Sequence, residues 1–300
     1  MSSCIGEFAT DDPTAGPRLR AATRDRDASR PLYADSPMDT RLRRRISSRL
    51  ASCLPLDVRR LDNGAPLVSV TFDDVPESAH SRGATMLEAR GARGTYYVAT
   101  ALVGRRSADW TVIDRDGIAD LHERGHEIGL HMHEHREVGT FSGVEFRASL
   151  EKNRAELQRI HPGIEPQNFA YPFGAAAFAR KRQLSGLARS SRSVKPGINA
   201  GLFDAQFVKC VELADARLTR EKLDFYLDAV VSQKGWLVFL THDVSPSPSR
   251  FGCSIGLFER ALDGAAARGV EMATVADALR HSRPVGWSQR LGAVWPRHAR

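Results

Sequence analysis

From Leu67 onward the chain alternates short apolar runs with amphipathic stretches. Short runs at 67–72, 93–98, 126–130, 168–171, 189–194, 208–213 and 236–241 read as strands. Between them the spacing of apolar residues predicts helices over 78–90, 115–124, 143–160, 175–185, 219–233, 255–268 and 274–280. Over 143–160, Val144, Leu150, Leu157 and Ile160 are expected on one broad buried face, with charges between them. A late short strand near 270–272 follows Gly269. A repeated strand-then-helix order builds a parallel sheet, either an open doubly wound sheet or a barrel. In both, side chains that do chemistry gather at the carboxyl ends of the strands.

The pattern changes at both ends. Residues 1–40 are rich in Ser, Asp, Arg, Pro and Ala and show little periodicity, the mark of a mostly disordered segment. Over 41–60, Leu42, Ile46, Leu50 and Leu54 recur every four residues among arginines. This predicts a short basic amphipathic helix ending near Pro55, and we expect it to pack on the domain rather than lie on a membrane. The expected plan is a basic, mostly disordered extension over 1–62, one folded domain over 63–280 and a basic tail over 281–300.

Charge follows that plan. The net charge is +7. Residues 1–62 hold 12 Arg, no Lys and 9 acidic residues, and residues 281–300 hold four Arg and no acidic residue. The tails thus account for the whole excess, and the body is neutral. A nucleic-acid partner is not expected of a neutral body, although basic tails suit an anionic surface such as the inner face of a membrane. No apolar stretch approaches the roughly 20 residues of a membrane span. The first residues lack a basic segment followed by an apolar one, so the expected location is the cytoplasm. Four cysteines, Cys4, Cys53, Cys210 and Cys253, lie far apart. That spacing suits a reducing compartment and not a thiolate zinc site.

Candidate chemistry sits where the predicted strands end. The run V-S-V-T-F-D-D-V-P, 68–76, closes on Asp73 and Asp74. Successive residues of a strand point to opposite sides, so the two carboxylates could serve different ends. The segment G-H-E-I-G-L-H-M-H-E-H, 125–135, offers His131 and His135 four apart, which would share a face if a helical turn began there. F-A-Y-P-F-G, 169–174, is a Pro-Gly loop, and the strand at 236–241 runs into His242 and Asp243. Each feature alone has an ordinary reading: an N-cap, a polar loop, a turn, a structural histidine. Together they offer mixed oxygen and nitrogen donors for a metal with one position open, a second carboxylate to take a proton from water, and a distant imidazole to return one. That set of parts hydrolyses an acyl bond without a covalent intermediate.

T-F-D-D, then H-x-x-x-H, then the Y-P-x-G loop, then L-x-H, in this order over about 66–280, resembles the NodB-type polysaccharide deacetylases, carbohydrate esterase family 4. The resemblance implies a distorted (β/α) barrel of about seven parallel strands. It implies Asp73 as catalytic base and His242 as catalytic acid. Asp74, His131 and His135 would hold a divalent metal, usually zinc, sometimes cobalt or nickel. Phe173 matches the residue whose backbone N–H helps hold the oxyanion, Tyr171 lies beside it in the substrate loop, and Leu240 would line the pocket for the acetyl methyl. The A-Y-P-x-G form is similar to a branch acting on bacterial exopolysaccharide or adhesin sugars. The implied activity is removal of N-acetyl groups from amino sugars of a surface polysaccharide or its lipid-linked precursor. Rival readings are hydrolysis of other linear or cyclic amides or O-acetyl esters by the same machinery, or a sugar-binding pseudoenzyme. The chain also departs from the family. Val75 stands where Gly usually follows the two Asp residues, and Met132 stands where Ser or Thr follows the first His. Ala170 occupies the usual place of an Arg that orients the base, Phe173 replaces the loop Tyr, and no D-x-x-D-W stretch appears. Asp215 or Glu212 is a candidate to tune His242.

Overall fold

The computed structural model of the chain describes residues 37–286. Seven parallel strands form the main sheet: β2 (Leu67–Asp73), β3 (Thr95–Val98), β4 (Glu127–Leu130), β5 (Asn168–Ala170), β6 (Ser190–Arg192), β8 (Val211–Glu212) and β9 (Trp236–Thr241). Their spatial order is β6-β5-β4-β3-β2-β9-β8, and the short β10 (Glu271–Met272) adds to the start of β2. One parallel bridge, Arg192 with Val208, links β6 to the segment that leads into β8. The sheet therefore curves round into a distorted (β/α) barrel. Helices α3 (Arg115–Glu123), α4 (Gly143–Ile160), α5 (Phe178–Leu184), α6 (Arg220–Ser232), α7 (Ile255–Ala267) and α8 (Val275–Arg280) follow the order read from the sequence. The first crossover is a π-helical turn, Ala79–Ala84, running into α2 (Thr85–Glu88).

The strands sort their side chains by parity. On β2, Val68, Val70 and Phe72 join the large core beneath the helices, as do Leu237 and Phe239 of β9. The alternate residues face the lumen. Trp236, Val238 and Leu240 form a smaller apolar cluster there. Beside them lies a polar network in which Glu127 accepts from Thr95 Oγ1 (2.9 Å) and Asn168 Nδ2 (2.6 Å), and Ser190 Oγ donates to Asn168 Oδ1 (2.8 Å). Ser69, Thr71 and Asp73 share this inward parity, which aims Asp73 into the barrel mouth.

The folded body exceeds the expected 63–280. β1 (Val58–Leu61) lies in the segment read as disordered, and β11 (Ser282–Pro284) in the segment read as a tail. β1 pairs antiparallel with β11 on one side and with β7 (Leu202–Asp204) on the other. All three are short and carry polar residues, so their sequences lack an apolar run. The rest of the two extensions, 1–36 and 287–300, falls outside the described residues. The basic helix exists as α1 (Pro37–Cys53), but its leucine stripe does not pack on the body. Contact runs instead through Ala51, which is buried, and Ser47, whose Oγ accepts from Phe178 N (3.0 Å). On α4 the expected face also shifts: Val144 is exposed, and Phe146, Leu150 and Leu157 are buried.

A buried Lys181 holds α1 and β7 to the barrel. Its Nζ lies 2.5 Å from Asp204 Oδ2 and donates to Ala51 O (2.6 Å) and Leu54 O (2.8 Å). Burial pulls its pKa down despite the neighbouring carboxylate. Lys181→Met would leave Asp204 and two carbonyls without their cation. We expect a loss of about 3 kcal/mol, read as a lower urea midpoint at unchanged slope.

Candidate active site and metal centre

At the carboxyl ends of the strands a pocket of about 510 Å³ collects Asp73, Asp74, His131, His135, Phe173, Leu240 and His242, with Trp110, Glu212, Arg217 and Phe251 in its walls. Asp73 is the last residue of β2, His131 follows β4, and His242 follows β9. Tyr171 is not in this lining. It is fully buried, its ring lies against Phe169 (5.3 Å), and its hydroxyl donates to Gln206 O (3.2 Å). Inward and outward alternation along the strand leading into the loop turns Tyr171 to the core, whereas Phe173, two-thirds exposed, stands in the mouth.

The two aspartates do not diverge as strand parity implies. His131 Nε2 lies 3.9 Å from Asp73 Oδ2 and 3.8 Å from Asp74 Oδ1. The cause is a backbone turn: Asp74 (φ 57°) and Val75 (φ 51°) both enter the left-handed region immediately after the strand. For a β-branched residue such as Val75 this costs roughly 1–3 kcal/mol, and its fully buried side chain in the main core offsets the strain. His131 and His135 also meet without a helix. Met132 (φ 63°) and His135 (φ 49°) turn the loop, bringing the ring centroids to 5.0 Å and His135 Nε2 to 3.2 Å from Asp74 Oδ1. Met132 points into the core. Phe173 (φ 56°) repeats the device in the third loop and sets its ring 4.5 Å from that of His135.

The donors of Asp74, His131 and His135 all lie within 4.8 Å of one another. Asp74 Oδ1 is buried and makes no hydrogen bond, so it needs a positive partner. Burial, aided by Asp73 and opposed by His242, lifts its carboxyl to about 7. Burial pushes His131 down to about 3, and His135 is lowered for the same reason. Both imidazoles are thus neutral at neutral pH. His131 Nδ1 donates to Ala170 O (2.9 Å), which fixes the tautomer and leaves the Nε2 lone pair facing Asp74. Two neutral nitrogens and one unpartnered carboxylate oxygen fit a divalent cation with room for a further ligand.

Four residues that the sequence reading missed complete the site. Arg192, at the end of β6 and fully buried, donates from Nη2 to both Asp73 oxygens, at 2.5 Å to Oδ1. Burial raises the Asp73 carboxyl, but Arg192, then His131 and His242, outweigh it and hold it below the usual carboxylate range. Asn153 of α4 accepts from His131 N (3.0 Å) and donates to Val98 O (3.0 Å), tying the histidine loop to β3. Trp110 and Phe251 lie 5.3 and 5.4 Å from the His242 ring and 6.3 Å from each other, a triangle of three rings that packs His242 from one side. Neither candidate tuner of His242 pairs with it. Asp215 accepts from Ser254 N (2.8 Å) at the start of α7, and Glu212 pairs with Arg217 (2.9 Å) in the pocket wall. A charged residue inside the run S-S-R-S-V was the available signal for Arg192; nothing local marks the aromatic pair.

The family model described as polysaccharide deacetylase matches residues 60–186. Among solved structures, the chitin deacetylase of the fungal pathogen Colletotrichum lindemuthianum is 18% identical with a TM-score of 0.53, covering 73% of this chain and 89% of its own. PdaA of Bacillus subtilis, a family 4 carbohydrate esterase, is 11% identical with a TM-score of 0.51, covering 79% and 89%. The Xyl-CE4 domain of a multidomain xylanase from the hindgut metagenome of Trinervitermes trinervoides is 14% identical with a TM-score of 0.50, covering 72% and 91%. Likeness at such identities is one of fold. No curated protein sequence matches. The fold is a NodB-type (β/α) barrel. Over residues 60–186 the chain matches the polysaccharide deacetylase family model, in line with the resemblance read from its motifs.

Proposed function

We propose that this protein is a metal-dependent hydrolase that removes N-acetyl groups from amino sugars of a bacterial surface polysaccharide or its lipid-linked precursor. The observation that carries the reading is the meeting of Asp73, Asp74, His131, His135 and His242 in one pocket. A divalent cation held by Asp74, His131 and His135, with zinc the expected ion and cobalt or nickel able to replace it, supplies positive charge that polarises the acetyl carbonyl and eases deprotonation of water. Asp73, kept ionised by Arg192, takes the proton of the attacking water. His242, packed against Trp110 and Phe251 in the same pocket, gives a proton to the leaving amine nitrogen. Leu240 offers an apolar wall for the acetyl methyl, and the backbone N–H of Phe173 is the donor assigned to the oxyanion. Trp110, Phe251 and Phe173 put aromatic side chains in the pocket lining, which suits the apolar face of a sugar ring. The products are acetate and a free amine, cationic at neutral pH.

The test is acetate release from a panel of N-acetylated oligosaccharides, O-acetylated sugars and small amides, with the divalent ion removed and restored. We expect turnover on the N-acetylated oligosaccharides, lost with chelator and regained on adding zinc. Turnover confined to esters or small amides would move the assignment to another acyl substrate. Bound sugar and bound metal with no turnover on any of them would make the protein a sugar-binding pseudoenzyme.

A further inference from the structure

The surface of α1 is built the wrong way round for a helix that only packs on its own domain. Leu42, Ile46, Leu50 and Leu54 are 57%, 50%, 40% and 44% exposed. Steps of four residues keep them within about 120° of the helix circumference, so they form one outward stripe. The body is touched through a different face, by Ser47 and Ala51, and by Arg44, whose Nη1 reaches Glu137 Oε2 at 3.4 Å. Beyond Asp39 in its first turn, the charge along the helix has one sign. Residues 41–54 contain five Arg and no acidic residue, whereas 1–36 contain five Arg and six acidic residues. The basic excess of the amino-terminal extension is therefore concentrated on this helix.

The occupant follows from that pairing of apolar and cationic groups. A soluble polyanion would match the arginines but not four exposed aliphatic side chains. A second copy docking stripe to stripe would bring the two sets of arginines together. A bilayer with anionic headgroups satisfies both, because aliphatic side chains enter the acyl boundary while guanidinium groups stay at the phosphate level. We propose that α1 is a docking helix for an anionic lipid bilayer. It lies beside the mouth of the pocket: the groove between α1 and the body is lined by Arg43, Arg44, Arg45, Glu137, Ala175 and Arg180, and Glu137 and Ala175 directly follow the loops that carry His135 and Phe173. If the deacetylase reading above holds, docking through α1 would bring the pocket mouth close to substrates anchored in the same membrane.

The test uses full-length protein and vesicle sedimentation, which does not depend on acetate release. Vesicles of phosphatidylcholine alone are compared with vesicles that also contain phosphatidylglycerol. Binding is expected to the mixed vesicles, to weaken as salt is raised, and to fall by about tenfold or more in the Ile46→Glu/Leu50→Glu variant. Both substitutions are on exposed positions, so the variant should keep its thermal midpoint and its turnover of soluble acetylated oligosaccharide. The proposal is overturned if the mixed vesicles do not bind the protein, if neutral vesicles bind it equally, or if the variant binds as well as the parent. It is equally overturned if analytical ultracentrifugation shows a dimer that the variant dissociates, since the stripe would then serve a second copy.

Discussion

Asp73→Asn is expected to hold its divalent ion and release almost no acetate, while Asp74→Asn loses ion and activity together. The two residues are neighbours in sequence with similar burial, so a general disturbance of the strand end would affect both variants alike. Their surroundings separate them. Asp73 is gripped by Arg192 through both oxygens, whereas Asp74 Oδ1 has no hydrogen-bond partner and lies 3.2 Å from His135 Nε2. Removing a proton acceptor that acts only in the reaction lowers kcat by about 10²–10⁴-fold. Metal analysis by mass spectrometry, run beside the acetate assay, separates the two outcomes. Because Asp73→Asn leaves Arg192 buried without its counter-charge, its urea midpoint should fall as well, and activity is to be compared at a temperature where the variant remains folded. An Asp73→Asn protein with more than about a tenth of parental kcat would be incompatible with this residue as the base.

How much of this was readable beforehand depends on how local each cause is. The longest barrel strands were legible because they are compact apolar runs, Leu67–Asp73 and Trp236–Thr241, whereas β6 is the polar S-S-R. The strands β1, β7 and β11 were not, because V-R-R-L, L-F-D and S-R-P gain their hydrogen bonds from distant partners rather than from an apolar face. The identities of the groups that meet in the pocket were legible for a related reason: they sit at strand ends, and parallel strand order brings strand ends together. Their local geometry was not. A helical grip was expected of His131 and His135, and opposite aims of Asp73 and Asp74, yet left-handed residues at 74, 75, 132 and 135 produce the convergence. Such conformations in non-glycine residues are held by the surrounding packing and leave no pattern in the sequence. The α1 stripe shows the converse. Its spacing was plain, but periodicity says only that one face is apolar, not what covers it.

The Ala170 position shows most directly what tertiary structure adds. An arginine expected there is missing, yet Asp73 is not left alone. β5 and β6 run parallel with Ala170 and Arg192 as register partners, so the guanidinium arrives from the adjacent strand at the same level of the barrel. With neighbouring strands about 4.8 Å apart, an arginine from either one can reach the same carboxylate, and the small Ala170 leaves the room. With Asp73 as the proposed base, Arg192 is assigned as a positioning residue. Arg192→Met should lower kcat/KM by about 10²-fold with the metal content unchanged. The pH profile distinguishes this role from simple structural support. In the parent, burial raises Asp73 and the neighbouring cations, Arg192 foremost, bring it below the ordinary range, so the base stays ionised well into acid. Without Arg192 burial dominates, the pKa rises, and the acid limb of kcat/KM moves to higher pH. Arg192→Lys restores charge without the planar fork and should recover part of the pH shift but less of the rate. In the Ala170→Arg/Arg192→Ala exchange the guanidinium returns from the other strand, and activity above that of Arg192→Ala alone is expected. An Arg192→Met enzyme whose acid limb and kcat/KM both match the parent would show that the ion pair serves only to fill the barrel.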